Sequence, residues 1–373
     1  GLSHVLEHMF FKGTPTRAVG AVARDTKWLG GYLNAGTGYD RTTCYVVVPA
    51  RNLAQAIDIQ ADALQRATLD AGELARELQV IIEEARRKRD TPSAVASETL
   101  HELLFDRHRI RRWRIGHEEA LGRFSGAELG AYYATRYVPA RTIVSIVAAV
   151  PVAEMLAAAR SAYGGWPARA ADVPDGPAES RRSGVRVRTL RGDVAQADLV
   201  LGWRGVPPLD RDEAALDLAA AVLATGRGAR LHARLRETGI ATSVGAWHYS
   251  QGDVGVFAVH VDGDPDRVPA MIEGIANEVQ RLRQDGPGAA DLDRARTLLR
   301  VRWARQFESY EGRASALAGA EALGGVQLVD EEYARMLAVT PEDVRRAAAR
   351  YLDPDAVSAV AYLPQDRGAD LDA

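Results

Sequence analysis

The chain has 373 residues, 47% of them hydrophobic and 26% charged, with a formal net charge of −3, so it can bury two cores of ordinary size and lacks the basic excess of a nucleic-acid binder. Its one cysteine, Cys44, excludes an intrachain disulfide and a cysteine-based zinc ribbon, which leaves histidine and carboxylate as the available metal donors. No apolar run approaches the roughly 18 residues that a membrane span needs, and no leader can be read from a chain that begins at Gly1.

The opening segment GLSHVLEHMFFKGT (1–14) reads as a helix. Residues four apart share a helix face and the residue three after the first sits beside them, so His4, Glu7 and His8 project in one direction. A second helix is expected over 21–31, a strand pair over 32–49, and helices over 51–68 and 71–90. In the last of these, Leu74, Leu78, Ile81, Ile82 and Ala85 define a packed side, while Glu77 and Glu84, seven apart, fall on nearly one face. The apolar RTIVSIVAAV (141–150) reads as a closing strand. Residues 168–184, rich in Pro, Gly, Ser and charge and without apolar periodicity, read as a linker.

Beyond the linker the order repeats. A strand over 194–205 leads to helices over 212–226 and 229–239, a strand pair over 240–261, two long helices over 264–286 and 289–308, and a closing strand over 355–364. We therefore expect an α+β fold of two homologous repeats, 1–167 and 185–373. Only the second repeat has a strand ahead of its first helix, so the first strand or two of the first repeat is expected to be missing from this sequence.

The duplication isolates the chemistry. Where the first repeat carries His4, Glu7 and His8, the matching helix of the second is built from Ala, Leu and Val, so the polar trio serves more than folding. Neutral imidazoles at i and i+4 can hold one zinc ion, and a glutamate beside them that does not ligate can act as a general base. The order H-x-x-E-H inverts the better-known H-E-x-x-H. A catalytic zinc takes three protein ligands, and the helix over 71–90 offers a carboxylate for the third. The same residues can also be read as surface histidines and a solvated acidic helix ahead of the basic run 86–89. His101, His108 and His117 read as surface or capping residues, and His232, His248 and His260, without ligand spacing, as structural.

HVLEH, followed 76 residues after its second histidine by Glu84 in ELQVIIEEARR, resembles the signature of the pitrilysin-type zinc peptidases (family M16), which include insulin-degrading enzyme and the mitochondrial processing peptidase. The phrases GGYLNAGTGYDRTTCY, IGHEEALGRFSGAELGAYYATRYVPART and TGRGARLHARLRETGIATSVGA extend the similarity over essentially the whole chain. The resemblance implies a pitrilysin/LuxS-like fold, each repeat an antiparallel-rich mixed sheet with helices packed on one face. It implies Zn2+ held by His4, His8 and Glu84, Glu7 as general base, and Glu77 as a second glutamate supporting the site. It further implies an unfolded peptide bound as an added strand along LNAGT (33–37), where Asn34 and Ala35 lie, and gripped by Arg236.

One departure matters. The family pairs that arginine with a tyrosine a few residues later, and here Thr242 stands in the tyrosine's place, in a phrase one residue shorter. The implied assembly is a heterodimer in which a related chain supplies the Arg/Tyr pair, with a homodimer as the rival. The expected function is a zinc-dependent endopeptidase whose chamber closes by dimerisation; the alternative is a non-catalytic structural or assembly subunit of the same fold. Neither a nucleic acid nor a membrane span is expected. An Ala- and Arg-rich, Lys-poor composition suggests a bacterial source, in cytoplasm or periplasm.

Overall fold

A computed structural model describes residues 1–169, 176–180 and 183–371. In chain order its elements are α1 (Leu2–Met9), α2 (Ala21–Trp28), β1 (Tyr32–Thr37), β2 (Thr42–Val47), α3 (Leu53–Gln65), α4 (Ala71–Arg89), α5 (Pro92–Leu104), α6 (Glu118–Leu121), α7 (Gly126–Arg136) and α8 (Val152–Tyr163). There follow β3 (Arg186–Gly192), β4 (Ala197–Gly205), α9 (Glu213–Ala224), β5 (Ser243–Gln251), β6 (Val254–Gly263), α10 (Val268–Asp285), α11 (Ala289–Gln306), α12 (Tyr310–Leu323), α13 (Leu328–Ala338), α14 (Pro341–Tyr351) and β7 (Ser358–Pro364). The helix expected over 229–239 is a short π-helical turn, His232–Arg236. No helix among the described residues is long and apolar enough to cross a membrane.

The chain forms two compact units, and they do not follow the division at 168–184. The first comprises Gly1–Arg87, Trp113–Asp175 and Gln306–Leu328; the second comprises Lys88–Arg112, Gly176–Arg305 and Val329–Ala373. Each half thus lends a helix to the other unit, and the reason is packing. In the second unit α5 lies against β4 and β7. A Cβ on Gly202 would meet Leu100 of α5 at 2.7 Å, so glycine is what lets the helix seat. In the first unit α12 lies beside β2, and the hydroxyl of Tyr32 on β1 donates to Glu311 at 3.0 Å. Of the expected linker, residues 170–175 and 181–182 lie outside those described.

The second unit is built on a five-stranded sheet ordered β3-β7-β4-β6-β5, with β3 and β7 parallel and the other pairs antiparallel. Leu199, Leu201, Trp203, Phe257, Val259 and Val261 line one face and share a core with α9, α10 and α14. Val200 and Val360, on the other face, are buried as well. Helices therefore cover both faces here, where one was expected, because this strand sequence is apolar on both.

In the first unit the described residues form one two-stranded sheet, with β1 and β2 antiparallel and Asn34 opposite Tyr45. Residues 142–148 join no ladder, against expectation, and Ile143 and Val144 are each 43% exposed. Their counterpart β7 takes its bonds from β3 and β4, and the described part of this unit contains no equivalents of those strands. Two of the histidines read as surface or capping residues are buried, and one of them does cap. His101 places Nδ1 2.6 Å from the Ser97 carbonyl, and His108 caps a turn by accepting from the Ile110 N–H.

The turn leaving α1 is pinned to α3 through Asp62, which is fully buried. Its Oδ2 accepts from Thr14 at 2.6 Å, Thr16 at 2.9 Å and Arg17 at 2.5 Å, and its Oδ1 accepts from Arg66 at 2.5 Å. Burial works against the charge, but these donors outweigh it and hold the carboxyl down at about 2. A depressed pKa stabilises the fold in full above about pH 4 and is lost as pH falls towards about 2, a contribution of about 2 kcal/mol. Asp62→Asn is expected to lower the free energy of urea unfolding at neutral pH by about 2–4 kcal/mol. It should also flatten the acid limb of stability against pH; an unchanged acid limb would show that Asp62 does not carry it.

Candidate metal centre

Helix α1 is eight residues long and buries Val5, Leu6 and Met9. They share one core with Leu74, Leu78, Ile81, Ile82 and Ala85 of α4, the packed side expected from the sequence. With that rotation fixed, His4 and His8 of α1 face the glutamates of α4. His4 Nε2 and His8 Nε2 each stand 3.8 Å from Glu84 Oε2, and the two imidazole rings meet edge to face at 4.8 Å. One ligand atom from each of His4, His8 and Glu84 lies within 4.8 Å of the other two.

Two further contacts prepare the donors. His8 Nδ1 is 3.0 Å from Glu77 Oε2, and Glu77 Oε1 takes Lys12 Nζ at 2.5 Å. Burial works against charge on Glu77, yet Lys12 and His8 prevail and hold its carboxyl below the usual range. An ionised Glu77 accepts the Nδ1 proton, which leaves the Nε2 lone pair of His8 turned to Glu84. Burial drives the pKa of His4 down, against the pull of Glu84, and so favours the neutral imidazole that a metal requires. The Nδ1 atom of His4 is buried without a hydrogen-bond partner among the described residues. The Glu84 side chain is 42% exposed, which leaves one side of the trio open.

Two imidazoles and a carboxylate converging with an open side form a donor set suited to zinc, whose bonds to N and O run about 2.0–2.2 Å. The donors already lie within 4.8 Å of one another, with each histidine 3.8 Å from Glu84, close to the spacing that one such ion requires. Glu7 stands apart from the donors: its Oε2 accepts from Thr37 Oγ1 at 2.5 Å, and Thr37 continues through Thr42 to the Tyr137 hydroxyl at 3.4 and 3.1 Å. Burial raises the Tyr137 phenol to about 12, so it stays a neutral hydrogen-bonding group.

The remaining sequence candidates are placed as follows. Asn34 and Ala35 lie on β1, whose only ladder partner among the described residues is β2, and the Ala35 N–H donates to Asn34 Oδ1 at 2.9 Å. Arg236 belongs to the second unit, where its Nε donates to the Thr242 carbonyl at 3.0 Å. Sequence reasoning passed over Lys12 and Thr37. Lys12 had a signal, since it continues the spacing of four from His4 through His8; Thr37 had none, because a strand residue meets α1 only in the fold.

A profile of the insulinase family, peptidase family M16, matches residues 1–116, and one of the peptidase M16 inactive domain matches 123–299. A Bacillus subtilis protein named an uncharacterized zinc protease is 27% identical over 357 residues, covering 95% of this chain and 86% of that protein. A probable mitochondrial-processing peptidase subunit beta of Arabidopsis thaliana is 27% identical over 376 residues, covering 96% of this chain and 70% of that protein. The crystal structure of a Helicobacter pylori protease superposes with a TM-score of 0.91 at 21% identity, covering 97% of this chain and 89% of that one, a likeness of fold.

Removing the cation that holds Glu77 should slacken His8. Lys12→Met is expected to weaken zinc affinity by roughly 10–100-fold, measured by competition with a chromophoric chelator. Unchanged affinity would show that the orientation of His8 does not depend on Lys12.

Proposed function

The chain belongs to the M16 peptidase family, and from that premise we propose that it is the zinc-bearing subunit of an endopeptidase for unfolded peptides. The observation that carries the proposal is a complete donor set with a separate, independently held glutamate. A protein that merely stored or was braced by zinc would have no use for Glu7 beside the donors.

His4, His8 and Glu84 would hold the ion. When bound, zinc supplies the Lewis acidity that lets water lose a proton near neutral pH and polarises a peptide carbonyl. Glu7 takes the proton of the attacking water and returns it to the leaving amine. The Thr37 hydroxyl fixes Oε2 of Glu7, so the exchange falls to Oε1. Glu77 touches neither water nor peptide in this scheme; it acts by orienting His8.

The peptide adds as a strand along β1. Main-chain pairing satisfies an extended backbone without reading its side chains, which favours unfolded substrates over folded ones. The incoming peptide takes over the Ala35 N–H that Asn34 now holds. Arg236 is the candidate grip on the peptide, but its bond to the Thr242 carbonyl and the absence of a phenol at position 242 argue that a second chain completes the site. A related chain bringing an Arg/Tyr pair is the partner we favour, with a second copy of this chain as the rival.

The test compares wild type with Glu7→Gln, both loaded with zinc, on a quenched unstructured peptide. Cleavage is expected to fall by about 10²–10⁴-fold in the variant while zinc content stays the same. Equal cleavage by the two proteins would remove Glu7 from the mechanism. Cleavage that appears only when a related chain is added would support the heterodimer, and none in any combination would favour the assembly subunit.

A further inference from the structure

We propose that Asp198, His260 and Asp262 form a second divalent-cation site, separate in sequence and in ligands from His4, His8 and Glu84. Strands β4 and β6 run antiparallel with Val200 opposite His260 and Asp198 opposite Asp262. Residues two apart on a strand share a face, so the register gathers the three side chains at one end of one face of the second unit's sheet. His260 Nε2 lies 2.9 Å from Asp198 Oδ2 and 3.3 Å from Asp262 Oδ1, and one ligand atom from each residue lies within 4.8 Å of the others. Donors about 2.1 Å from a shared ion stand about 3.0 Å apart at a right angle and about 3.4 Å apart at a tetrahedral one.

The second observation is a missing partner. Asp198 is only 7% exposed, and its Oδ1 is buried with no hydrogen-bond partner among the described residues. Leaving a carboxylate oxygen dry and unpaired is costly. A proton on His260 can join Nε2 to Asp198 Oδ2, but it leaves Oδ1 without a donor. A cation in the cluster is attracted by the Asp198 carboxylate and relieves the repulsion between the two carboxylates. Ser243 Oγ donates to Asp262 Oδ2, so that oxygen is held and Oδ1 is the one turned to His260. Ser243 sits on β5 opposite Asp262, and the Trp247 ring of the same strand lies 6.4 Å from the His260 ring. The His260 and Asp262 side chains are 20% and 30% exposed, which gives the ion a way in.

One imidazole with two carboxylates suits a borderline divalent ion such as zinc. The ion would brace β4 to β6 and, through Ser243, the edge strand β5. Along the sequence the cluster is nearly invisible, because Asp198 and His260 are 62 positions apart and only the ladder joins them.

The experiment uses the full chain carrying His4→Ala and His8→Ala, which empties the first centre. Equilibrium dialysis against Zn2+ with metal analysis is expected to find one ion still bound per chain. The melting temperature should rise with Zn2+, and Co2+ should give a visible absorption band. Adding Asp262→Asn, at a part-exposed position, should abolish all three signals while the far-ultraviolet circular dichroism stays that of the parent, and His260→Gln should do the same. Retention of no ion in the His4/His8 background, or of an ion that survives both further substitutions, would overturn the proposal. Failure of the first centre would appear elsewhere, as wild type and the His4/His8 variant holding the same single ion.

Discussion

The candidate metal centre depends on the seating of α1. A helix of eight residues has little stability of its own, since nucleation costs more than so few hydrogen bonds return. It persists because Val5, Leu6 and Met9 are fully buried, each burial contributing about 1.5–3 kcal/mol before entropy. That burial fixes the rotation of the helix, and with it the direction of His4, Glu7 and His8. The Asp62 cluster then ties down the turn that follows, so both the axis and the exit of α1 are held from α3 and α4.

Within that frame Glu77 and Glu7 are separated by the kind of group each one meets. Lys12 gives Glu77 a full positive charge, which keeps it ionised and accepting. Thr37 gives Glu7 a neutral hydroxyl, which holds the carboxylate without commanding its proton. A carboxylate locked in an ion pair makes a good orienter and a poor proton carrier. The proposed division of labour, with Glu7 moving the proton and Glu77 aiming His8, follows from that difference.

Local periodicity carried the parts of the fold that were legible in the sequence. The spacing of His4, Glu7 and His8, the packed side of α4 and the strand-helix order of the second half all rest on residues within a few turns of each other. What escaped were pairings set by tertiary contact. The exchange of α5 and α12 between units follows from the fit of Leu100 over Gly202 and of α12 beside β2, and neither leaves a mark on the helix's own sequence. β3 went unread because Arg186, Arg188 and Arg191 break up its apolar content; parallel pairing with β7 makes it a strand. Residues 142–148 have a strand's composition, but composition does not supply a neighbour.

Comparing α1 with α9 puts a measure on what the centre asks of the fold. α9, the helix that the sequence aligns with α1, buries eight residues, all Ala, Leu or Val. α1 buries three and turns the Nε2 atoms of His4 and His8 to Glu84 instead of to a core. A site that exposes lone pairs to a ligand gives up contacts that a core helix would make, and the loss has to be offset nearby. In the first unit the offset is visible as the Asp62 cluster and the Lys12 bridge, two charged networks at the end of the helix that carries the chemistry.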